Sequence, residues 1–103
     1  IYYSPRFKAM LGYGEKEFPN TLATFNDHLH PDDYARVWDH AERYFRREIP
    51  EYVNYFRLRH KEGHYLWIMS RAKGIWDAQG KIIRFVGGHT DITEQKQREE
   101  YLE

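Results

Sequence analysis

The residues of this sequence that could do chemistry are its six histidines and the acidic residues near them. One group close together in the chain consists of Asp27, His28, His30, Asp32 and Asp33. Imidazole and carboxylate groups bind divalent metals. The same group surrounds the start of a helix, where Asp and His act as caps and complement the helix dipole, and we favour that interpretation. His60 and His64 flank a KEG turn, where we expect them to be solvated. The sequence therefore predicts no metal site.

Other reactive groups are missing from the sequence. It contains no cysteine, which excludes disulfides, thiolate zinc sites, a cysteine nucleophile and a flavin–cysteine adduct. No glycine-rich phosphate loop, nucleophile with a matched base or pair of carboxylates is evident, so we assign no catalytic residue. The 16 basic and 16 acidic residues balance, and no apolar run approaches the ~20 residues of a membrane span. We expect neither a nucleic acid partner nor direct membrane contact.

The first half of the 103-residue chain, which is long enough for one domain, has helical patterns. Ser4, Pro5 and Gly12 are a cap, a first helical residue and a stop signal for a short helix. A second helical face comprises Leu22, Phe25 and Leu29. Pro31 opens a longer helix that reaches Glu48. Its buried stripe is predicted to be Tyr34, Val37, Trp38, Ala41, Tyr44 and Phe45.

Strand patterns occupy the rest of the domain. A short strand is predicted over Ile1–Tyr3. From residue 51 the apolar period becomes two, which predicts strands over residues 51–60, 64–76 and 81–90, joined by tight turns. These three strands form an antiparallel meander. The fold class is therefore α+β, with helices on one face of an antiparallel sheet.

The chain ends in a charged helix. Asp91 and Glu94 have the spacing of an N-terminal capping box. Ile92, Gln95, Glu99 and Leu102 fit a sparse heptad seam. We divide the chain into a domain over residues 1–91 and the start of a linker helix over residues 92–103. The sequence begins on IYYSP without Met, which leads us to expect a fragment of a longer protein.

Four stretches make this sequence resemble a PAS domain followed by a PAC motif, the sensory box of bacterial signalling proteins. They are YYSPRFKAMLGY, LHPDD, FRLRHKEGHYLWI and GGHTDITEQKQREE. The resemblance covers essentially all of the chain. It implies a five-stranded antiparallel sheet in the order 2-1-5-4-3. The family's first strand would precede Ile1, so only four strands are visible, and something should cover the resulting gap.

The resemblance also implies a ligand cleft between the sheet and the helices. The predicted lining comprises Phe7, Met10, Leu11, Phe25, Leu29, Val37, Trp38, Ala41, Asn54, Phe56, Leu58, Ile68, Ser70, Ala72, Ile83, Phe85, Gly87 and His89. His89 takes the place of a pocket-facing glutamine in flavin-binding relatives, and Gly87 would open space beside it. His89 is either a ligand-contacting imidazole or a core histidine bonded to a backbone carbonyl. Likewise, the cleft holds either a cavity or an ordinary aromatic core.

No cofactor is assigned by the resemblance. The histidine ligand of heme-binding relatives would fall near Trp38, and His40 lies two residues later, about 200° around the helix. We therefore expect His40 to face solvent, which disfavours heme. On the opposite face of the sheet, an interface is predicted, and the resemblance implies either a partner domain or an N-terminal helix there, with a packing role in the scaffold as the default for Trp67. Its candidates are Tyr65, Trp67, Met69, Ile82 and Val86, together with Leu102 on the final helix.

As a function, the resemblance implies a cytoplasmic sensory input domain that is not itself an enzyme. The parent would be a bacterial histidine kinase or GGDEF diguanylate cyclase, and the domain would form a homodimer. Binding of a small molecule in the cleft would reach an output domain of the same chain through Asp91, Ile92 and Thr93. One alternative is a ligand-free dimerisation and spacer module. A further alternative is a fragment of a small ligand-binding enzyme.

Overall fold

The computed structural model describes residues 2–102, and side chains as far as residue 100. The helices are α1 (Pro5–Met10), a short 3₁₀ helix (Glu15–Glu17), α2 (Leu22–His28), α3 (Pro31–Phe45) and α4 (Thr93–Leu102). The strands are β1 (Tyr52–Arg59), β2 (Tyr65–Trp76) and β3 (Ile82–Asp91). This order confirms the predicted α+β class and the predicted meander.

The three strands form one antiparallel sheet in the order β1-β2-β3. Phe56 pairs with Ile68 across β1 and β2, and Ser70 pairs with His89 across β2 and β3. Gly63 and Gly80 take positive φ angles of 102° and 82° in the turns that join the strands. Glycine adopts this region without steric cost, which is why both turns can be tight.

The predicted strand over Ile1–Tyr3 is wrong for its two described residues, and Ile1 lies outside the described residues. Tyr3 instead donates its backbone N–H to Asn20 Oδ1 (3.2 Å) and its hydroxyl to the Thr21 carbonyl (2.7 Å). Its ring packs edge-on against Phe18, with centroids 5.2 Å apart. Side-chain contacts with a loop have replaced the strand pairing because no neighbouring strand lies beside these residues within 2–102.

The caps of the first helix are confirmed. The backbone N–H of Phe7 donates to Ser4 Oγ at 3.1 Å, Pro5 is the first helical residue, and Gly12 has a φ of 85°. Helix α3 starts at Pro31 as predicted, with His30 as its N-cap. The Nδ1 of His30 accepts the backbone N–H of Asp32 at 3.1 Å.

Helix α3 ends at Phe45, earlier than the predicted Glu48. The N–H of Arg47 donates to the Tyr44 carbonyl and that of Glu48 to the Arg43 carbonyl, both at 2.9 Å. These two bonds form a Schellman motif, which normally places glycine at its left-handed residue. Here that residue is Arg47, with a φ of 61°. No glycine marks this stop, which explains why the sequence pattern runs past it.

The predicted stripe of α3 is only partly buried. Val37, Ala41 and Tyr44 are buried, whereas Tyr34 is 49% exposed and Phe45 is 39% exposed. Tyr34 and Phe45 lie at the flanks of the stripe, where Tyr34 packs beside Trp38 of its own helix and Phe45 beside the half-exposed Phe85. The prediction for these two side chains is therefore wrong.

Two hydrophobic clusters hold the helices on the sheet. The buried members of the larger cluster are Tyr3, Phe7, Leu11, Phe18, Leu29, Val37, Phe56, Leu58, Leu66 and Ile68. The smaller cluster is built on Ala41, Tyr44 and Tyr52 at the C-terminal end of α3.

Candidate functional site

Side chains fill most of the interface between the sheet and the helices. Leu11, Phe56 and Ile68 expose 1% of their surface or less. The other predicted lining residues that are buried are Phe7, Leu29, Val37, Ala41, Asn54, Leu58 and Ser70. Met10, Phe25, Trp38 and Ala72 are partly buried. The predicted lining thus comes together on one side of the sheet, but largely as packed core.

The polar groups of this interface bond to one another. Asn54, which is 2% exposed, donates from Nδ2 to the Val37 carbonyl (3.1 Å) and to the Tyr52 hydroxyl (3.2 Å). Burial raises the pKa of Tyr52, although hydrogen bonds with Asn54 and Ser70 act in the opposite direction. Buried polar groups require such partners. Asn54 and Ser70 therefore have a structural role in addition to any contact with a ligand.

His89 lies on β3, the edge strand at one side of the interface between the sheet and the helices. Its ring centroid is 4.4 Å from that of Phe7 and 6.4 Å from that of Phe56. This burial of the ring lowers the pKa of His89 to about 4, so the imidazole is neutral near pH 7. The residue as a whole is nevertheless exposed along β3. His89 is thus a neutral group with one side against apolar rings and another accessible to an incoming molecule.

Phe85 and Gly87 on β3 share the face of His89, whereas Ile83 is the extra residue of a bulge opposite Ile75 and Trp76. Ile83 is exposed, and Phe85 is 43% exposed with its ring 5.1 Å from that of Tyr52. Gly87 does not open space, contrary to our expectation. A Cβ at this position would overlap the carbonyl oxygen of Arg71 and would lie 2.5 Å from Cα of Ala72. Glycine is needed here because strands β2 and β3 approach closely.

The expectation that His40 faces solvent is wrong. The residue is half-buried, with its ring centroid 5.4 Å from that of Tyr52. Its Nε2 is buried and has no hydrogen-bond partner among the residues that the structure describes. The position of His40 at the edge of the smaller cluster turns its ring toward β1.

Three members of the Asp27–Asp33 group have structural partners. His28 bonds through Nε2 to the Tyr13 hydroxyl (3.1 Å) and through Nδ1 to the Thr24 carbonyl (2.7 Å). His30 caps α3, as the capping interpretation predicts. Asp33 is more than a helix-start charge, because it is 4% exposed and binds Arg57.

Asp33 and Arg57 form a clamp across the outer edge of β1. Asp33 accepts three hydrogen bonds from Arg57: from the backbone N–H at 2.8 Å, from Nε at 3.0 Å and from Nη2 at 2.7 Å. Burial alone would raise the pKa of Asp33. The hydrogen bonds from Arg57, together with the charges of Arg57 and Arg36, hold that pKa below its ordinary value. The carboxylate is therefore ionised and fixed.

The exit from the sheet is tied to β2 by the residues that we predicted to relay a signal. Asp91 Oδ1 accepts from the backbone N–H of Thr93 (2.9 Å) and from its hydroxyl (2.6 Å). Thr93 Oγ1 accepts the N–H of Trp67 at 2.9 Å, and the N–H of Ile92 donates to the Trp67 carbonyl at 2.9 Å. The predicted capping box is wrong in detail, because Asp91 bonds to Thr93, and Glu94 instead pairs with Arg98 at 3.8 Å.

The side chain of Trp67 lies on the outer face of the sheet, which is the face turned away from helices α1 to α3. Its ring lies 5.0 Å from the Arg57 guanidinium and 5.3 Å from Nζ of Lys96, which is on the first turn of α4. Of the other interface candidates, Tyr65 packs on His30, Met69 is half-buried and Val86 is exposed. The prediction for Ile82 is wrong, because a bulge pairs it with Trp76 and so places it on the face toward the helices. The side chain of Leu102 lies outside the described residues. Helix α4 thus contacts the outer face through its first turn.

A cavity of about 590 Å³ lies where β2 extends beyond the start of β1. Its walls include Tyr44, Tyr52, Trp76 and Arg47, whose guanidinium is 4.9 Å from the Trp76 ring. Ala72 is the one predicted lining residue that borders it. The sequence carried a signal for this cavity, because the second predicted strand is longer than the first and the KEG turn fixes their alignment.

Within residues 2–102, no helix combines the length and the apolar character needed to cross a membrane.

Comparisons with known proteins agree with this geometry. The structure is similar to that of a sensory box histidine kinase/response regulator from Burkholderia thailandensis E264, at 34% sequence identity and a TM-score of 0.84. That match covers 98% of this chain and 74% of the other. The N-terminal domain of a diguanylate cyclase with PAS/PAC sensor from Marinobacter aquaeolei is 22% identical, with a TM-score of 0.76. That match covers 89% of this chain and 83% of the other, and it supports the fold alone.

An RNA-binding light-oxygen-voltage receptor also shares the fold, at 20% identity and a TM-score of 0.70, with 96% of this chain and 26% of the other covered. No curated protein sequence matches the chain. The sequence does match the family described as "PAS fold" over residues 1–89. Because the family matches most of its length and its sheet and helices are arranged as in these structures, the chain belongs to the PAS fold family.

Proposed function

We propose that this chain is the sensory input module of a multidomain bacterial signalling protein, with residues 1–91 as the sensor and 92–103 as the start of the output helix. The relative with 34% identity is described as a sensory box histidine kinase/response regulator, which supports a histidine kinase as the parent. A GGDEF diguanylate cyclase is the other candidate for the parent. In this proposal the protein is a cytoplasmic homodimer, and a small molecule or partner binds in the cleft.

The observation that carries the proposal is the attachment of α4 to β2. The backbone of Trp67 bonds to both Ile92 and Thr93, so the start of α4 follows any displacement of β2 at this residue. Ser70, three residues along β2, pairs with His89 beside the accessible part of the cleft. A ligand that shifts these strands would therefore shift the helix, which is the kind of rigid connection that couples two sites.

His89 is the residue that we expect to meet the ligand. It is the exposed member of the predicted lining that carries a polar ring, and its imidazole is neutral near pH 7. A neutral imidazole can donate one hydrogen bond and accept another. The proposed ligand is accordingly a small molecule whose apolar part contacts Phe7 and whose polar group reaches His89.

The experiment that tests the relay joins the full chain, through α4, to a histidine kinase core that has lost its own sensory domain. Thr93→Val removes the hydroxyl bonded to Trp67 and Asp91, while Thr90→Val on the same junction is the matched control. We expect Thr93→Val to change the autophosphorylation rate by about fivefold or more, the scale of a typical coupling free energy. Equal rates for both variants and the parent fusion, with circular dichroism unchanged, would refute the relay.

The filled interface supports a second candidate, a ligand-free dimerisation and spacer module. Native mass spectrometry of the gently purified chain separates the two. A co-purifying small molecule that is lost in His89→Ala supports the sensor. A dimer of bare chains, insensitive to His89→Ala, supports the spacer.

A further inference from the structure

The turn between β1 and β2 carries a group of side chains that the proposed function does not use. His60, Glu62 and His64 each offer one ligand atom, and these atoms all lie within 4.8 Å of one another. The two imidazole rings are nearly parallel, 19° apart, with centroids separated by 4.4 Å. We propose that these three residues form a binding site for a divalent transition metal ion, with Zn²⁺ as the natural probe. His64 is exposed, as we expected, whereas His60 is half-buried, so the expectation that it is solvated is wrong.

The backbone that carries the three ligands is fixed. The N–H of His60 donates to the His64 carbonyl at 2.7 Å, and that of Gly63 donates to the His60 carbonyl at 2.9 Å. The N–H of Lys61 reaches the Leu11 carbonyl at 2.9 Å, which attaches the turn to the end of α1. The turn therefore holds the three Cα atoms in place before any metal binds, and this lowers the entropy cost of assembling the site.

The ligands require only side-chain movement to close on an ion. Zinc binds histidine nitrogen at about 2.0–2.1 Å and carboxylate oxygen at about 2.0–2.2 Å. Two donors on one tetrahedral ion are therefore roughly 3.3 Å apart, so the present separations must shrink by about 1.5 Å at most. Glu62 and His64 are exposed and can rotate to do this. Water would complete the coordination shell.

Two nitrogen ligands and one carboxylate determine which ions suit the site. Imidazole favours zinc, copper, nickel and iron, whereas magnesium and calcium prefer sites built from oxygen. Lys61, a cation within the turn, is paired with Glu17 at 2.6 Å and so is held by another carboxylate. Glu62 remains as the negative charge beside the two imidazoles.

One existing contact opposes metal binding and limits its strength. His60 Nδ1 accepts the backbone N–H of Glu62 at 3.0 Å. An ion at Nδ1 would displace this hydrogen bond, and an ion at Nε2 would move the ring proton to Nδ1, where it would face the same N–H. The loss of such a bond weakens binding by roughly fivefold, so this contact reduces the affinity of the site without preventing metal binding.

The test is isothermal titration of the tag-free chain with ZnCl₂, together with the visible absorption of Co²⁺ bound in its place. His64→Ala and Glu62→Gln remove exposed ligands without touching the core, whereas His60 packs on Gly12 and its loss could disturb folding. His30→Asn is the matched control, because it removes an imidazole elsewhere while keeping an effective N-cap.

We expect saturable binding that weakens about tenfold or more in His64→Ala and Glu62→Gln, and that is unchanged in His30→Asn. Co²⁺ should give an absorption band that is lost in the same two variants. The proposal is overturned if no saturable binding occurs, or if His30→Asn weakens binding as much as His64→Ala. Neither result depends on whether the domain is a sensor.

Discussion

The two outer strands of the sheet have similar alternating sequences and very different surroundings. On β1, alternate residues from Tyr52 to Leu58 are buried under the helices. On β3, every residue after Ile82 is exposed. The outer edge of β1 is covered by the start of α3 and the residues before it. The His30 N–H donates to the Arg57 carbonyl at 3.0 Å, and the Asp33 carboxylate accepts the Arg57 N–H at 2.8 Å. Within residues 2–102 no strand covers the outer edge of β3.

The difference shows that alternation in a strand decides which side chains share a face, while the neighbouring elements decide whether that face is buried. Phe56 and Phe85 both point toward the helices. Helices α2 and α3 cover Phe56, whereas Phe85 lies beyond the flank of α3 beside the half-exposed Phe45. The stability of the domain should therefore depend on β1 far more than on β3.

Truncation of the two phenylalanines compares the strands directly and should give the largest effect. Phe56 is 1% exposed and Phe85 is 43% exposed. We expect Phe56→Ala to lower the free energy of unfolding by about 3–5 kcal/mol because it leaves a cavity in the core. Phe85→Ala should cost about 1–2 kcal/mol, since solvent already reaches its ring. Urea unfolding of both variants checks this, and equal losses would contradict the contrast between the strands.

Removal of the clamp on the edge of β1 should have the next largest effect. Asp33→Ala leaves the Arg57 N–H and guanidinium without their acceptor, which we expect to cost about 2–3 kcal/mol at pH 7. Asp32→Ala, an exposed change in the same helical turn, should cost about 0.5 kcal/mol.

The clamp also makes a prediction about pH. Because the pKa of Asp33 is lowered in the folded state, its contribution is present above the unfolded value of 3.8 and is lost as pH falls through the folded value. The difference between Asp33→Ala and the unchanged chain should therefore shrink in acid. If the difference stayed constant from pH 7 to below that value, the ionised carboxylate would not be the cause.

Local signals in the sequence determine most of the fold. The cap at Ser4, the helix start at Pro31, the glycines of the turns and the period of two after residue 51 predicted the starts of α1 and α3 and the meander. The strand at Tyr3 was wrong because a strand needs a partner, and a local pattern carries no information about whether one is present. The predicted end of α3 was wrong because Arg47 occupies the left-handed position after the helix, where glycine is usually found.

The candidate site was less predictable for a related reason. Most of the predicted cleft residues lie on the helix-facing side of the sheet, apart from Ile83 at the bulge, but packing determines whether that side holds a cavity or a core. Gly87 illustrates the limit, since the missing side chain makes room for β2 and not for a ligand. The clamp between Asp33 and Arg57 joins residues that are far apart in the chain. Such a pair could not be predicted from the residue types or from their spacing.

His89, on the open strand β3, should make a smaller contribution to the pH dependence of the free energy of unfolding. Burial of the ring lowers the pKa of His89 to about 4, against 6.5 for an ordinary histidine. The unfolded chain therefore binds a proton between pH 6.5 and 4 that the folded chain excludes, so the stabilising effect of the neutral ring is complete above pH 6.5 and is lost as pH falls toward 4. Because His89 is exposed along the open edge, we expect about 1 kcal/mol and not the full value of the shift.

His89→Gln removes the titrating ring while keeping a polar side chain at the same place on β3. The free energy of unfolding of the unchanged chain should drop by about 1 kcal/mol more than that of His89→Gln between pH 7 and pH 4.5. His30→Asn, which removes a histidine beside the covered edge of β1, should follow the unchanged chain. If His89→Gln and the unchanged chain lost stability in parallel, the imidazole would be solvated in the folded protein. Water would then reach the ring of His89 as well as the rest of β3. The difference in burial between β1 and β3 would in that case be greater than the structure indicates.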